Sequence, residues 1–218
     1  MGNNNNRQIA KNTIFLYFRM LLLMVISLYT SRVTLRILGV DDFGIYQSVC
    51  GVVTFLAFLN NALSSGTSRF ITFEMGKEDP QLNILFSTVR IAHVVLGVAV
   101  LLVGEIVGLW FINNKLIIPP ERLNAAIFAF HFSMITSFFQ ITHVPYNAII
   151  IAYEKMNAYA YISIIEAIFK LATVFLLNVF IFDKLEVYAT LLCIVQVTII
   201  IIYRFYCRIK FKEIKRGK

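Results

Sequence analysis

The fold is decided by an apolar stretch that begins at Leu123 and ends at Tyr153, LNAAIFAFHFSMITSFFQITHVPYNAIIIAY. Its 31 residues contain no Asp, Glu, Lys or Arg. About 20 mostly apolar residues are enough for a helix to cross the hydrocarbon core of a bilayer, which is about 30 Å thick. The stretch therefore predicts a membrane-spanning helix.

Five further stretches have the same character, and the segments between them are too short to form a water-soluble domain. The composition agrees, because 59% of the residues are hydrophobic and 15% are charged, against about 25% charged in an ordinary soluble domain. Six spans are therefore predicted. They are Thr13–Leu35, Phe43–Ser64, Thr88–Ile112, Leu123–Ile149, Met156–Phe182 and Leu185–Tyr203.

The apolar runs predict helices rather than the strands of a barrel. In a membrane every backbone N–H and C=O needs an internal partner, which leaves only helices and closed barrels. Barrel strands alternate between polar and apolar residues, whereas Met20–Ile26 and Val197–Ile202 are continuously apolar or nearly so. We expect an all-α membrane protein, a bundle of six transmembrane helices.

Several classes of function find no support in the sequence. There is no G-x-S-x-G, H-E-x-x-H, P-loop or C-x-x-C motif, and no stretch has the residue spacing of a metal site. We therefore expect no enzyme, no catalytic residue, no metal and no cofactor. The three cysteines form no disulfide framework; they are Cys50, Cys193 and Cys207.

The net charge of +8 is concentrated in the last 15 residues, which hold seven of the 20 basic side chains. A basic cluster directly after a span is typical of an anchor on anionic lipid headgroups, so we expect membrane lipids and no nucleic acid as partners. The bias of Lys and Arg toward short inner loops places both termini in the cytoplasm, with the tail deciding the orientation. The predicted parts are a polar lead (residues 1–12), the bundle (13–203) and a basic tail (204–218).

Arginines within the first span are candidates for binding an anion, because ionisable groups inside a membrane usually face a cavity or a partner. Arg19 lies about 10 Å into the span, where it either lines a polar cavity or extends back to the interface. Arg32 and Arg36 are four residues apart and share a helical face. Their guanidinium groups suit a phosphate, or alternatively anchor the span or pair with Asp41 and Asp42.

Other polar groups in the spans are candidates for coupling and motion. Glu166 and Lys170 have the spacing of a helical ion pair, which is either self-neutralised or a site of charge coupling. Glu105 has no partner nearby in the sequence, so its partner must come from another helix. It lies beside Gly104, which forms with Gly108 a pair that permits close helix packing. Pro145 interrupts the fourth span and is either a hinge or a static kink.

Two stretches resemble a known family. Lys11-Asn-Thr13 followed by RVTLRILGVDDFGIY at Arg32–Tyr46, and then Asn60–Leu63, Arg69-Phe70 and Glu74–Lys77, resemble the N-terminal part of bacterial polysaccharide exporters. These are the O-antigen and lipid-linked-oligosaccharide flippases of the multidrug/oligosaccharidyl-lipid/polysaccharide exporter superfamily. The resemblance covers residues 11–77.

The resemblance implies a bacterial inner-membrane protein that moves undecaprenyl-pyrophosphate-linked oligosaccharide in polysaccharide or lipopolysaccharide biosynthesis. It implies two helical lobes around a cationic cavity, with Arg19, Arg32 and Arg36 as the candidate ligands of the pyrophosphate. The family has about twice as many spans, so the chain corresponds to one lobe. A truncated gene product, a fragment and a half-transporter that pairs with a second lobe or a second copy all stay open.

Three alternatives to the flippase remain at this stage. A multidrug or cation antiporter lobe would use an acidic site such as Glu105 or Glu166. A non-transporting lobe would need a partner chain. A membrane enzyme of polysaccharide assembly would have a long extracytoplasmic loop, and the sequence contains none.

Overall fold

A computed structural model describes the backbone of residues 2–211 and the side chains of residues 13–51 and 59–211. The described chain is mostly helical and contains no strand, which confirms the prediction of an all-α fold. Its helices are α1 (Gly2–Leu38), α2 (Val40–Met75), α3 (Leu82–Asn114), α4 (Leu123–Ala152), α5 (Met156–Leu176) and α6 (Lys184–Lys210), with a 3₁₀ turn at Pro120–Arg122 before α4.

Five helical segments of the described chain are long and apolar enough to cross a membrane. They coincide with five of the six predicted spans. The remaining span, Phe43–Ser64, lies in α2 and includes residues 52–58, whose side chains are outside the description, so this span stays a prediction. The five segments are Thr13–Leu38, Leu82–Asn114, Pro120–Ala152, Met156–Leu176 and Lys184–Lys210.

The predicted end of the fifth span is wrong. Helix α5 ends at Leu176 and not at Phe182, and a loop of several residues connects it to α6, which begins at Lys184. The loop is apolar, so hydropathy alone extended the span into it. At the other end of the chain, α1 begins at Gly2, so the backbone of the polar lead is part of the first helix. Residues 212–218 of the basic tail lie outside the description.

The helices form an up-and-down bundle around α4. Helix α4 packs against α2, α3 and α6, and its residues Ala126, Phe130 and Met134 are completely buried. Helices α2, α4 and α6 all begin at the same end of the bundle, where Asp42, Arg122 and Asp183 meet. At the opposite end Tyr153, after α4, contacts Phe211, after α6, with ring centroids 4.5 Å apart.

Helix α3 crosses α4 at close range through its glycines. A Cβ atom on Gly108 would overlap the ring of Phe130, and one on Gly104 would overlap the terminal methyl of Met134. A Cβ on Gly97 would lie 3.0 Å from the ring of Phe138. The interpretation of Gly104 and Gly108 as a packing pair is therefore confirmed, because large side chains of α4 occupy the space that the glycines leave.

Helix α1 stands apart from this core. It packs mainly against α5, makes fewer contacts with α2, and does not contact α3 or α4 extensively. Helix α5 in turn packs against α6 more than against α4. This arrangement leaves a space between the α1–α5 pair and the rest of the bundle, and that space holds the candidate site.

Candidate functional site

A partly open cavity of about 440 Å³ lies between α1, α2, α5 and α6. Its walls are rich in hydroxyl groups and contain three charged side chains, Arg19, Glu166 and Lys170. Polar and charged groups inside a hydrophobic bundle are expected to face one another, water or a ligand, because burying an unpaired polar group costs free energy. The cavity is therefore the strongest candidate for a functional site among the described residues.

Helical spacing places the lining residues on one face of α5 and one face of α1. On α5 the cavity is lined by Tyr159, Ser163, Glu166 and Lys170, which follow one another at intervals of four, three and four residues. Side chains at these intervals lie on the same side of a helix. The same intervals govern α1, where Arg19, Leu23, Ile26, Thr30 and Thr34 face the cavity.

Arg19 connects the two helices at one end of the cavity. Its Nη1 donates a hydrogen bond to Ser163 Oγ at 3.3 Å, and its guanidinium carbon lies 4.3 Å from the centroid of the Tyr159 ring. Its Nε is shielded from solvent and has no hydrogen-bond partner among the described residues. A guanidinium group that is fixed in this way retains unused donors, which favour an anion with several oxygen atoms.

Glu166 and Lys170 form the second charged element of the cavity. Lys170 Nζ donates to Glu166 Oε1 at 2.6 Å, which confirms the ion pair expected from the spacing. The side chains retain 27% (Glu166) and 43% (Lys170) of their exposure, so both remain accessible from the cavity. Together with Arg19 the pair gives the cavity two cations and one carboxylate.

A second cavity of about 350 Å³ continues the first toward α4. The two spaces share five lining residues, including Lys170, Thr30 and Tyr188. The second is lined on α4 by Ser133, Thr136 and Gln140 and on α6 by Gln196. Lys170 therefore stands where the two polar spaces join.

The structure brings only one of the three candidate arginines into the cavity. Arg32 and Arg36 are exposed on α1, do not line this cavity, and make no hydrogen bond or ion pair with the described side chains. The possible pairing of these arginines with Asp42 is not what the structure shows. Asp42 instead accepts hydrogen bonds from Arg122 Nε at 2.8 Å and Nη2 at 2.6 Å.

Arg122 also pairs with Asp183, so one guanidinium joins the starts of α2, α4 and α6. Asp183 is in addition the N-cap of α6, because its Oδ1 accepts a hydrogen bond from the amide of Leu185 at 3.0 Å. Partial burial alone would raise the pKa of Asp183. The hydrogen bonds from Arg122 and from the helix amides outweigh this effect and hold the pKa below its ordinary value.

Two further candidates lie away from the cavity. Glu105 Oε2 is 2.8 Å from Nδ1 of His131 on α4, so its partner does come from another helix, but neither residue lines the cavity. Pro145 is buried, and α4 continues through it from Leu123 to Ala152. Its role as a hinge stays a prediction.

Sequence reasoning missed most of the lining of the cavity. The sequence alone did not indicate a site at the lining residues that carry hydroxyl or phenol groups, because a single polar residue in an apolar run is compatible with many structural roles. These residues are Thr30, Tyr46, Tyr159, Ser163 and Tyr188. A signal was nevertheless present. The polar residues of α5 recur at helical intervals on one side of an otherwise apolar segment, and this pattern indicates a polar face inside the bundle.

No protein-family model, curated protein or solved structure matches the chain. The class that the described residues define is an all-helical protein whose five long apolar helices are compatible with a multi-pass membrane protein. Within that class, the distinguishing feature is a polar and partly cationic cavity inside the bundle.

Proposed function

We propose that the chain is one lobe of an exporter that moves undecaprenyl-pyrophosphate-linked oligosaccharide across the bacterial inner membrane. The observation that carries the proposal is the guanidinium group of Arg19, which lines the cavity together with Lys170 and several hydroxyl groups. A pyrophosphate offers oxygen atoms to a planar fork of N–H donors, and such charge-assisted hydrogen bonds are among the strongest in proteins.

Two further features support an anionic substrate. Lys170 supplies a second cation to the same cavity, and the hydroxyl group of Ser31 can donate to a phosphate or sugar oxygen. The resemblance of Arg32–Tyr46 to the lipid-linked-oligosaccharide flippases supports the class of lipid. In the mechanism that we propose, the interior cations capture the headgroup, and the lobe then rocks against a second lobe or a second copy of the chain.

The binding step can be tested directly. Purified protein in lipid nanodiscs is titrated with farnesyl diphosphate, a short prenyl diphosphate. Because removal of a hydrogen bond to a charged group costs about 1.5–3 kcal/mol, we expect Arg19→Gln to weaken binding by at least about tenfold, while Arg19→Lys retains part of the affinity. Arg90→Gln is the matched control, since Arg90 is exposed on α3 and lies outside the cavity.

The same titration decides between the candidate arginines. If the double variant Arg32→Gln, Arg36→Gln loses affinity and Arg19→Gln does not, the anion binds on the exposed face of α1 and the cavity proposal is wrong. Flipping of a fluorescent lipid-linked oligosaccharide in proteoliposomes then tests transport. If the chain alone binds the lipid without flipping it, and a partner lobe restores flipping, the chain is a non-transporting half.

A second candidate function is an antiporter of drugs or cations, because a carboxylate, Glu166, lines the same cavity. An antiporter of this kind needs an acidic site that a cation and a proton occupy in turn. Loss of proton-coupled efflux in Glu166→Gln, together with unchanged prenyl diphosphate binding in Arg19→Gln, would favour this alternative over the flippase.

A further inference from the structure

Glu166 occupies an unfavourable place for a cavity that captures an anion. Its carboxylate is held against Lys170 at 2.6 Å, so it neutralises one of the two cations that line the cavity. The ion pair is not sealed, because Glu166 keeps 27% and Lys170 keeps 43% of its side-chain exposure. An incoming anion therefore meets a lysine whose charge is already satisfied by a carboxylate that repels it.

We propose that Glu166 is a built-in competitor for the anionic headgroup, and that uptake of a proton by Glu166 releases Lys170 to the ligand. The inference rests on the proposed function and concerns the regulation of the same site. While Glu166 is ionised, the three charged side chains of the cavity sum to one positive charge. When Glu166 is protonated they sum to two, and Lys170 is free to donate to the anion.

The position of Lys170 allows its ammonium group to move from Glu166 to a bound anion. The lysine lines both the first cavity and its continuation toward α4, so its ammonium group can leave Glu166 without entering an apolar region. Arg19 contacts the same polar face of α5 at Ser163, about two helical turns from Lys170. The released lysine and the fixed arginine would thus hold an anion from the two ends of one space.

The effect of Glu166 on the pH dependence has to be distinguished from the effects of the other titratable and charged groups that face it. On its own helix these are Lys170 and Tyr159, and the facing helices contribute cationic, phenolic and imidazole groups. Among the described groups, only the imidazole belongs to a class that titrates near neutral pH. His143 lies on α4 with its ring centroid 4.2 Å from that of Tyr203, and its Nε2 has no hydrogen-bond partner among the described residues. The remaining facing groups are Arg19 on α1, Tyr46 on α2, and Tyr188 and Tyr203 on α6.

The test measures farnesyl diphosphate affinity of the nanodisc protein from about pH 8 down to about pH 4, the range in which carboxylates and histidine titrate. Wild type is compared with Glu166→Gln, Lys170→Gln and His143→Gln. Protonation of the ligand is common to all four proteins, so it cancels in the ratio of their dissociation constants. Thermal unfolding checks that each variant is folded.

The expected result is specific. At the alkaline end Glu166→Gln binds about tenfold more tightly than wild type, because one repulsive charge is gone and Lys170 is free. The ratio falls toward one at the acidic end, where wild type has taken up the proton. Lys170→Gln shows a smaller gain on acidification, because only the repulsion by Glu166 is then relieved, and His143→Gln keeps the profile of the wild type.

Several results would overturn the inference while leaving the proposed function in place. These are equal affinities of wild type and Glu166→Gln at every pH, a constant ratio that never falls on acidification, or a profile that is flattened by His143→Gln alone. If Glu166→Gln fails to fold, an undiminished gain on acidification in Lys170→Gln is sufficient to reject the inference. Absence of binding by wild type across the whole range would instead reject the proposed function.

Discussion

Replacement of Gly108 by alanine tests the packing of α3 on α4. The added Cβ would overlap the tip of the Phe130 ring, whose Cε2 and Cε1 atoms lie 2.6 and 2.9 Å from the Cβ position. Phe130 is completely buried and cannot turn away without displacing its neighbours. The two helices must therefore separate, or the ring must leave its preferred position.

The magnitude follows from two opposing contributions. Forcing an extra carbon into a packed core costs about 1–3 kcal/mol, whereas replacing a helical glycine by alanine gains about 0.5–1 kcal/mol. We expect Gly108→Ala to lower the free energy of unfolding by about 0–2.5 kcal/mol, whereas an unobstructed helical Gly→Ala raises it. Gly104→Ala should cost less, because the atom that it meets is the flexible end of Met134.

The assay is thermal unfolding in detergent, where about 1 kcal/mol shifts Tm by about 2–4 °C for a chain of this length. Gly44→Ala is the matched control, since no atom lies within 4 Å of its added Cβ. The double variant Gly108→Ala, Phe130→Leu should be less destabilised than the sum of its parts. If Gly108→Ala is as stable as Gly44→Ala, the close approach of the two helices is refuted.

The remaining predictions concern the ion cluster and the thiols. Arg122→Gln removes both ion pairs and should lower the free energy of unfolding by about 1–3 kcal/mol, with strong coupling to Asp183→Asn in a double-mutant cycle measured by thermal unfolding; additive effects would contradict it. Because the folded protein holds the pKa of Asp183 below its ordinary value of about 3.9, its contribution is complete above that pH and is lost as the pH falls through the lower, folded pKa. A wild-type Tm that declines on acidification below about pH 4 more steeply than that of Asp183→Asn checks this sign. The three thiols are buried, so the native protein should not react with a bulky maleimide until it is denatured, and rapid labelling in the folded state would contradict the burial of Cys50, Cys193 and Cys207.

Much of the fold follows from local sequence properties. The apolar run from Leu123 to Tyr153 predicts a long helix because a helix satisfies its backbone hydrogen bonds within the run itself. The ion pair of Glu166 and Lys170 and the packing role of Gly104 and Gly108 were predictable for the same reason, since both depend on spacing along one helix. The end of α5 was not predictable, because the loop after Leu176 is as apolar as the helix before it.

The tertiary structure alone decided which polar groups meet. The sequence contains four arginines in α1, and nothing in the spacing of the three candidates distinguishes Arg19, which faces α5, from Arg32 and Arg36, which are exposed. It likewise could not pair Asp42 with Arg122, or Glu105 with His131. The physical reason is that spacing fixes which side chains share a face of a helix, whereas the rotation of each helix against its neighbours fixes what that face contacts, and the rotation depends on side-chain packing across the whole bundle.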